Sequence, residues 1–540
     1  MKRRNLILSL VSSIVLTIAL VTVTIVNVVA PKKNDGNTDN SQNVNIVTDI
    51  NKENDGSKEK PYLIYDAESF TNYVINNGYT EIEQLKDEEG NPVVDEEGNP
   101  VYNDSTYLKL NNDIDFAGVD FAPFFNQDKA FNAHLDGNGF SVKNISINVT
   151  VDNFDNYITK NANGLYDAKI AIFGTVEDAE ITNITFDNVS VDIADDVYPF
   201  IADAVFADSK GAAFNELVIG TVAAYAKDSK IQANVNANLN SGSYAIYEDN
   251  KVQGFNAIGG VVAISENTEI SNSNVNVKLI ADSGEKYFVG GVAGYAYDST
   301  IKDTKVNFEV ETNYKRVLYI GGVAGFANTI NLENDETNLN VVETGERFDL
   351  STLELAQRKD VDAAKVNWVA GIVNVIRANN ENQLSTITNV KATSNVDMDC
   401  LFAGAVYEVR STSADTSARY VTFKDVVVDS TVNTLKAYGF ANTLKYSTVS
   451  YTAPEVDEIT GEAKEQTTHI RLVGSVALDK VIDVNDPRLK VVVASGFILN
   501  NQNTTIEGGF KSINIEISNE IYSKLEFIET IRQYGSIDRV

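Results

Sequence analysis

Apolar and polar residues alternate over long stretches of this chain. The segments "ITNITFDNVSVDI" (181–193), "ISNSNVNVKLI" (270–280) and "IKDTKVNFEVE" (301–311) place an apolar residue at nearly every second position. A strand turns successive side chains to opposite faces, so this rhythm predicts half-buried strands. Between them stands a glycine-rich apolar phrase, "FVGGVAGYAYDSTI" (288–301) and again "YIGGVAGFANTINL" (319–332). The copies align on a small residue followed seven positions later by an aliphatic one: Gly174 and Ile181, Ala224 and Ile231, Ala263 and Ile270, Gly294 and Ile301, Gly325 and Leu332. Fainter copies put Asn374, Tyr407 and Asn442 in the first column. Successive residue numbers then differ by 50, 39, 31, 31, 49, 33 and 35. The shortest interval is the basic unit and the longer ones carry insertions. One insertion, "DLSTLELAQRKDVDAAKVN" (349–367), reads as a helix. Units that cannot bury a face alone stack, each pairing with the next about 4.8 Å away. The pattern therefore predicts an all-β solenoid in which the phrase recurs because every coil turns the same corner. Tyr225, Tyr295 and Phe326 follow the small residue and predict an aromatic ladder, either as packing or as an exposed platform for sugars.

Outside the repeats the chain changes character. "MKRR" precedes an uncharged apolar run from Asn5 to Ala30, which has the length of a bilayer span and ends on "VVA". Residues 1–30 therefore read as a signal-anchor or a cleaved signal peptide, and either would export the chain beyond Pro31. No lipid-attachment cysteine or C-terminal sorting signal is found, so any membrane contact is expected through the N-terminal segment only. Residues 31–60 are polar and rich in Asn and Asp, as expected of a disordered linker. Order is expected from "PYLIYDAESFTNYVINNG". There Asp66 caps a short helix, Phe70, Tyr73 and Val74 share one face, and Gly78 ends it. The duplication "DEEGNPVVDEEGNPV" (87–101) reads as a projecting loop or hairpin. Its carboxylates Asp87, Glu88, Glu89, Asp95, Glu96 and Glu97 leave calcium as an alternative, although their spacing fits no EF-hand loop. The expected divisions are an N-terminal cap with first coils over 61–160, a repeat solenoid over 161–450, and a C-terminal α/β capping region over 451–540. The last of these combines a strand near "RLKVVVASGFILN" with a helix near "NEIYSKLEFIETIRQY".

Charge narrows the partners. The 540 residues include 76 acidic and 44 basic side chains, a net charge of −32. Such a surface repels nucleic acid and favours cations and cationic partners. Cys400 is the only cysteine, which removes disulfide frameworks and cysteine zinc sites; with no basic or histidine neighbour it reads as a buried thiol.

At this point the phrase "GGVAGYAYDSTIKDT" resembles the GLUG-type repeat of bacterial surface proteins. "PYLIYDAESF", "YLKLNNDIDFAG" and "FNAHLDGNGFSVKNISI" are similar to the opening that commonly precedes such repeats. The resemblance covers about residues 61–345 well and 366–450 loosely. It implies a right-handed parallel β-helix, with short helical cap and insertions, on an exported protein that is often adhesin-like. Some proteins with this repeat are zinc peptidases, including immunoglobulin-A-cleaving enzymes. That chemistry needs His-Glu-x-x-His, whereas this chain has only His134 and His469, far apart.

Other chemistry is thinly represented. Parallel β-helices also host polysaccharide lyases and hydrolases that use clustered carboxylates. Asp397 and Asp399 in "NVDMDCLF" would share a strand face as such a pair, or stand as plain solvated acids. His134 and His469 read as structural. No catalytic, cofactor-binding or metal-ligating residue is assigned, and no cofactor is expected, with calcium left possible. The expected function is non-enzymatic display, with a host, neighbouring-cell or glycan ligand. Alternatives are a polysaccharide-active enzyme of the same fold and a self-assembling structural spacer.

Overall fold

The computed structural model describes residues 53–539 apart from 88, 96, 127–128, 161–165, 198–213, 243–254, 282–286, 314–317, 346–366, 379–383, 412, 414, 416, 454–466, 477–495, 509–512 and 523–536. Its strands wind into a parallel β-helix. Every described strand ladder is parallel except that between Ile158–Lys160 and Tyr166–Ile170. Each coil has four faces, here A to D. In one coil Tyr287–Gly290 forms face A, Ala293–Lys302 runs through faces B and C, and Lys305–Thr312 forms face D. In the next, Leu318–Gly321, Ala324–Glu333 and Glu336–Glu343 repeat the path.

The register follows the aligned repeat. Ile181, Ile231, Ile270, Ile301 and Leu332 pair in succession, and Ala293 pairs with Ala324. Face D shows why the alternation exists: Val306, Phe308 and Val310 are buried inside, while Lys305 and Asn307 face water. Each such buried apolar side chain contributes about 1.5–3 kcal/mol.

The corners have two chemistries. Between faces A and B, the second glycine of the phrase forms a column, Gly260, Gly291, Gly322, Gly371, Gly404 and Gly439. A Cβ added to any of these would stand 2.0–2.3 Å from the carbonyl oxygen of the glycine one coil on. Ala171 and Thr221 precede this column, so the requirement sets in at Gly260. The other two corners use Asn and Asp in left-handed conformation. Asp178, Asp228, Asn267 and Asp298 turn B into C, with φ from 44 to 53°. Asn183, Asn272, Asp303, Asn334, Asn389 and Asp425 turn C into D. These side chains tolerate φ > 0 better than others, and their amides link the coils. Asn334 Nδ2 donates to Asp303 Oδ1 (3.1 Å) and Asn389 Nδ2 donates to Asn334 Oδ1 (2.8 Å).

A substitution separates the two contributions. Asn334→Gly keeps the conformation and loses the links, whereas Asn334→Ala loses the links and strains the backbone by about 1–2 kcal/mol more. Urea unfolding should rank alanine below glycine. Equal midpoints would show that the left-handed turn does not limit stability.

The helix Ala67–Asn77 lies against the first coils. Ser69 N donates to Asp66 Oδ1 (2.8 Å) while Asp66 N donates to Ser69 Oγ (3.0 Å), a reciprocal cap. Phe70 and Val74 are buried, Tyr73 is half-buried, and Gly78 N closes the helix on Val74 O at 2.9 Å. The acidic duplication forms two linked hairpins closed into a ring, in which Val93 N bonds Leu85 O, Val101 N bonds Val93 O and Leu85 N bonds Val101 O.

Three expectations are corrected. A membrane anchor by an N-terminal helix is withdrawn: among the described residues no helix is long and apolar enough to cross a membrane, and residues 1–30 lie outside them. Of the linker expected over 31–60, residues 53–60 belong to the fold, since Gly56 O receives Tyr107 N at 2.8 Å and Gly56 N bonds Lys60 O, and residues 31–52 lie outside the described residues. The solenoid also does not stop at 450. Ile470–Val476 continues face D, Ile498–Gln502 continues face B, and Ile515–Ile517 and Ile537–Arg539 stack beyond them. Of the expected C-terminal helix, Asn519–Tyr522 is described; the helix expected over 349–367 falls outside the described residues except for Asn367.

Candidate binding crease between faces A and B

Faces A and B fold toward each other on their outer sides. At the N-terminal end small residues make this possible: Ala171, Ala224, Ala257 and Ala263 are fully buried outside the main core, with Val218 and Ile264. The resulting crease runs along the solenoid. Farther on, its lining becomes aromatic.

From face B, Tyr295 and Phe326 stack with centroids 5.1 Å apart and planes at 4°. From face A, Phe288 lies 4.9 Å from Phe326 and 5.3 Å from Tyr319. Tyr319 meets Trp368 edge-on at 4.9 Å, and Trp368 lies 4.5 Å from Tyr407. Tyr438 follows at 6.2 Å. Phe288, Tyr295, Tyr319 and Trp368 are half-buried, with part of each side chain open to solvent, whereas Phe326, Tyr407 and Tyr438 are buried. Burial pushes the Tyr295 and Tyr319 phenols up, while Arg377 and Arg410 respectively pull against it. Arg377 sits 5.5 Å over Phe326 and Arg410 5.7 Å over Trp368, with Arg410 Nε donating to Glu408 Oε2 at 2.8 Å.

The expected ladder of Tyr225, Tyr295 and Phe326 is thus formed only in part. Ile264 stands in register between Tyr225 and Tyr295. Tyr225 instead donates its hydroxyl to Glu266. Burial and that carboxylate both raise its pKa far above the ordinary phenol. Near it Lys227 pairs with Glu177 (2.7 Å), and burial raises the carboxyl of Glu216.

The remaining sequence candidates lie elsewhere. Asp397 ends its strand, exposed, and accepts Asn433 Nδ2 at 2.7 Å. Asp399 lies past the strand end in a bend, is 5% exposed, and its amide donates to Glu343 Oε2. The two therefore do not share a strand face, which corrects the expected carboxylate pair. His134 stacks on Tyr107 at 4.2 Å with Nδ1 3.3 Å from Glu180 Oε2. His469 accepts Asn514 N at Nδ1, packs 4.1 Å from Tyr451, and burial lowers its pKa. Cys400 is buried in the core. In the acidic duplication, Asp87 and Asp95 accept backbone amides of their own turns, chiefly Asn91 N and Asn99 N, which lowers their pKa. Glu88 and Glu96 lie outside the described residues. Among the described residues no group of three or more acids, histidines or cysteines is placed to hold a metal.

A polar groove of about 580 Å3 lies beside residues 116–122, lined by Asn144, Asn148, Asn153 and Asn156 among others. Its amides serve the fold: Asn144 bonds Asp115 and Asn188, and Asn153 bonds Thr150 N and Asn148 O.

Phe288, Tyr319 and Trp368 escaped sequence reasoning. The signal was present, because each stands three residues before a glycine of the corner column. Only the fold shows that this position faces the aromatic residues of face B.

No protein family and no curated protein matches the chain. Solved structures with some likeness include a putative immunoglobulin A1 protease from Bacteroides ovatus, 18% identical, with TM-score 0.36, covering 72% of this chain and 86% of that one. An IgA1 protease is 13% identical with TM-score 0.38, covering 69% of this chain and 21% of that one. Both TM-scores are too low for either likeness to bear on function.

Proposed function

We propose that this protein is an exported, cell-surface display scaffold of adhesin type, without catalytic activity, whose crease holds a glycan. The observation that carries the reading is the aromatic strip from Phe288 and Tyr295 to Tyr438. Flat ring faces accept the apolar faces of sugar rings, and neighbouring arginines, amides and carboxylates supply directional bonds. Rigid strands hold these rings without a loop to order on binding, which limits the entropic cost. The resemblance of the repeat to GLUG-type surface proteins supports the same reading.

The rival reading is a polysaccharide-active enzyme working at the other end of the crease. The raised carboxyl of Glu216, close to Lys169 and Tyr225, is the observation that favours it. Tyr225 weakens it, because burial and Glu266 hold that phenol protonated and unable to act as a base.

The test uses the full chain on a panel of immobilised acidic and neutral polysaccharides, scoring retention and new chain ends together. Retention without new ends is expected, and a Tyr319→Ala/Trp368→Ala variant should lose it. New chain ends that disappear in Glu216→Gln would establish the rival. Retention of no polysaccharide, with concentration-dependent self-association instead, would favour a structural spacer.

A further inference from the structure

The net charge of −32 leads one to expect cationic partners, but the crease reverses this locally. One outward column of face B can be followed coil by coil. It begins Glu177, Lys227, Glu266 and continues through Tyr297 and Asn328. It then becomes Arg377 and Arg410, and the pairing of Val406 with Ala441 and Glu408 with Thr443 puts Lys445 next. Three cations thus follow one another at the strand spacing of about 4.8 Å. Like charges facing each other across a ladder repel. Arg410 is relieved by Glu408. Among the described residues no carboxylate lies within ion-pair distance of Arg377 or Lys445, and Arg377 rests on the Phe326 ring instead.

We infer that the crease takes an anionic polysaccharide, its sugar rings on Phe288, Tyr319 and Trp368 and its acidic groups on Arg377, Arg410 and Lys445. This rests on the crease being the binding face. Both columns run along the solenoid at the coil spacing and overlap on the coil of Trp368 and Arg377, so one extended ligand with apolar ring faces and repeated anions can reach both. A guanidinium over an aromatic ring can still present N–H groups to carboxylate or sulfate, as Arg377 can over Phe326, whereas Arg410 has its Nε taken by Glu408. An acidic polypeptide would satisfy the cations but not the row of half-open ring faces.

Calorimetric titration of the full chain separates these outcomes, with oligogalacturonate, its neutral methyl ester and poly-glutamate as probes. The acid form should bind about tenfold more tightly than the ester at low salt, and the difference should shrink as salt rises. Arg377→Gln and Arg410→Gln should each remove most of that difference, weakening the acid form far more than the ester, while Arg377→Lys, which keeps the charge, should retain part of it. Chondroitin sulfate, run alongside, distinguishes sulfate from carboxylate as the preferred anion. Equal binding of acid and ester would overturn the inference and leave the glycan reading standing. Poly-glutamate binding as tightly as oligogalacturonate would overturn it in favour of an acidic polypeptide. If no probe binds, the inference falls, and the glycan reading falls with it only if the wider panel of neutral polysaccharides is not retained either.

Discussion

Gly322→Ala should be among the most damaging single substitutions in this chain. Its Cβ would stand 2.1 Å from Gly371 O and 2.5 Å from Thr337 Oγ1. The first contact is backbone, so no rotamer change relieves it, and the two coils must move apart. Overpacking of this kind costs about 3 kcal/mol or more when the backbone cannot yield. A solenoid adds a further signature, because each coil is stabilised mainly by its neighbours. A wedge at Gly322 should uncouple the coils on its two sides, so urea unfolding should broaden or split into two steps. Gly439→Ala meets a similar clash, 2.1 Å from Gly496 O, but lies nearer the C-terminal end. It should lower the midpoint while leaving most of the transition cooperative. A single unshifted transition in Gly322→Ala would show that the coils can separate at this corner without loss.

Asp335 should make the solenoid less stable as pH rises. It is 1% exposed, in the column that holds Ser273 and Thr304 in the two preceding coils. Its Oδ1 accepts Thr304 N at 2.9 Å and Oδ2 accepts Glu333 N at 3.2 Å. Burial outweighs those two amides, and its pKa is pushed up to about 8. The folded chain therefore keeps a proton that the unfolded chain releases near the ordinary carboxylate value. Stability from this group is fully present below about pH 4 and declines by about 1.4 kcal/mol per unit as pH rises toward 8. Asp335→Ser removes the titration and keeps an acceptor, since Ser273 Oγ already receives Ala233 N and donates to Ser271 O in its own coil. Comparing urea midpoints of both proteins from about pH 5 to about pH 8 isolates the group. The wild type should fall more steeply than the variant. Parallel curves would mean that this carboxyl does not titrate in the folded state in that range.

Much of the winding was legible because parallel pairing obliges each coil to repeat its neighbour. The small-residue column from Gly174 to Asn442 is in register throughout. The glycines were correctly tied to a corner, but only to one of three. The other two were written as Asn and Asp, for instance two residues after the aliphatic column at Asn183, Asn272, Asp303, Asn334, Asn389 and Asp425. Abundant Asn and Asp elsewhere in the chain hid that period. The continuation past 450 was hidden by its interval, since Ala441 pairs with Ile498, 57 residues on (498 − 441). Alternation misled at Asp399, because the strand ends at Asp397 and the chain bends before the next residue of like parity. The crease was the least legible feature. Its two aromatic columns are separated in sequence by the glycine corner, and only the fold brings their outer faces together.

Trp368 is the only tryptophan in the chain and stands within the aromatic strip, so its fluorescence reports on the crease alone. The most direct measurement titrates the full chain with the panel of acidic and neutral polysaccharides while following that emission. A saturable change with at least one of them, abolished by Tyr319→Ala while the fold's circular dichroism is kept, is the predicted result. Emission that no polysaccharide alters, under conditions where one of them is retained by the protein, would place binding elsewhere and contradict the account.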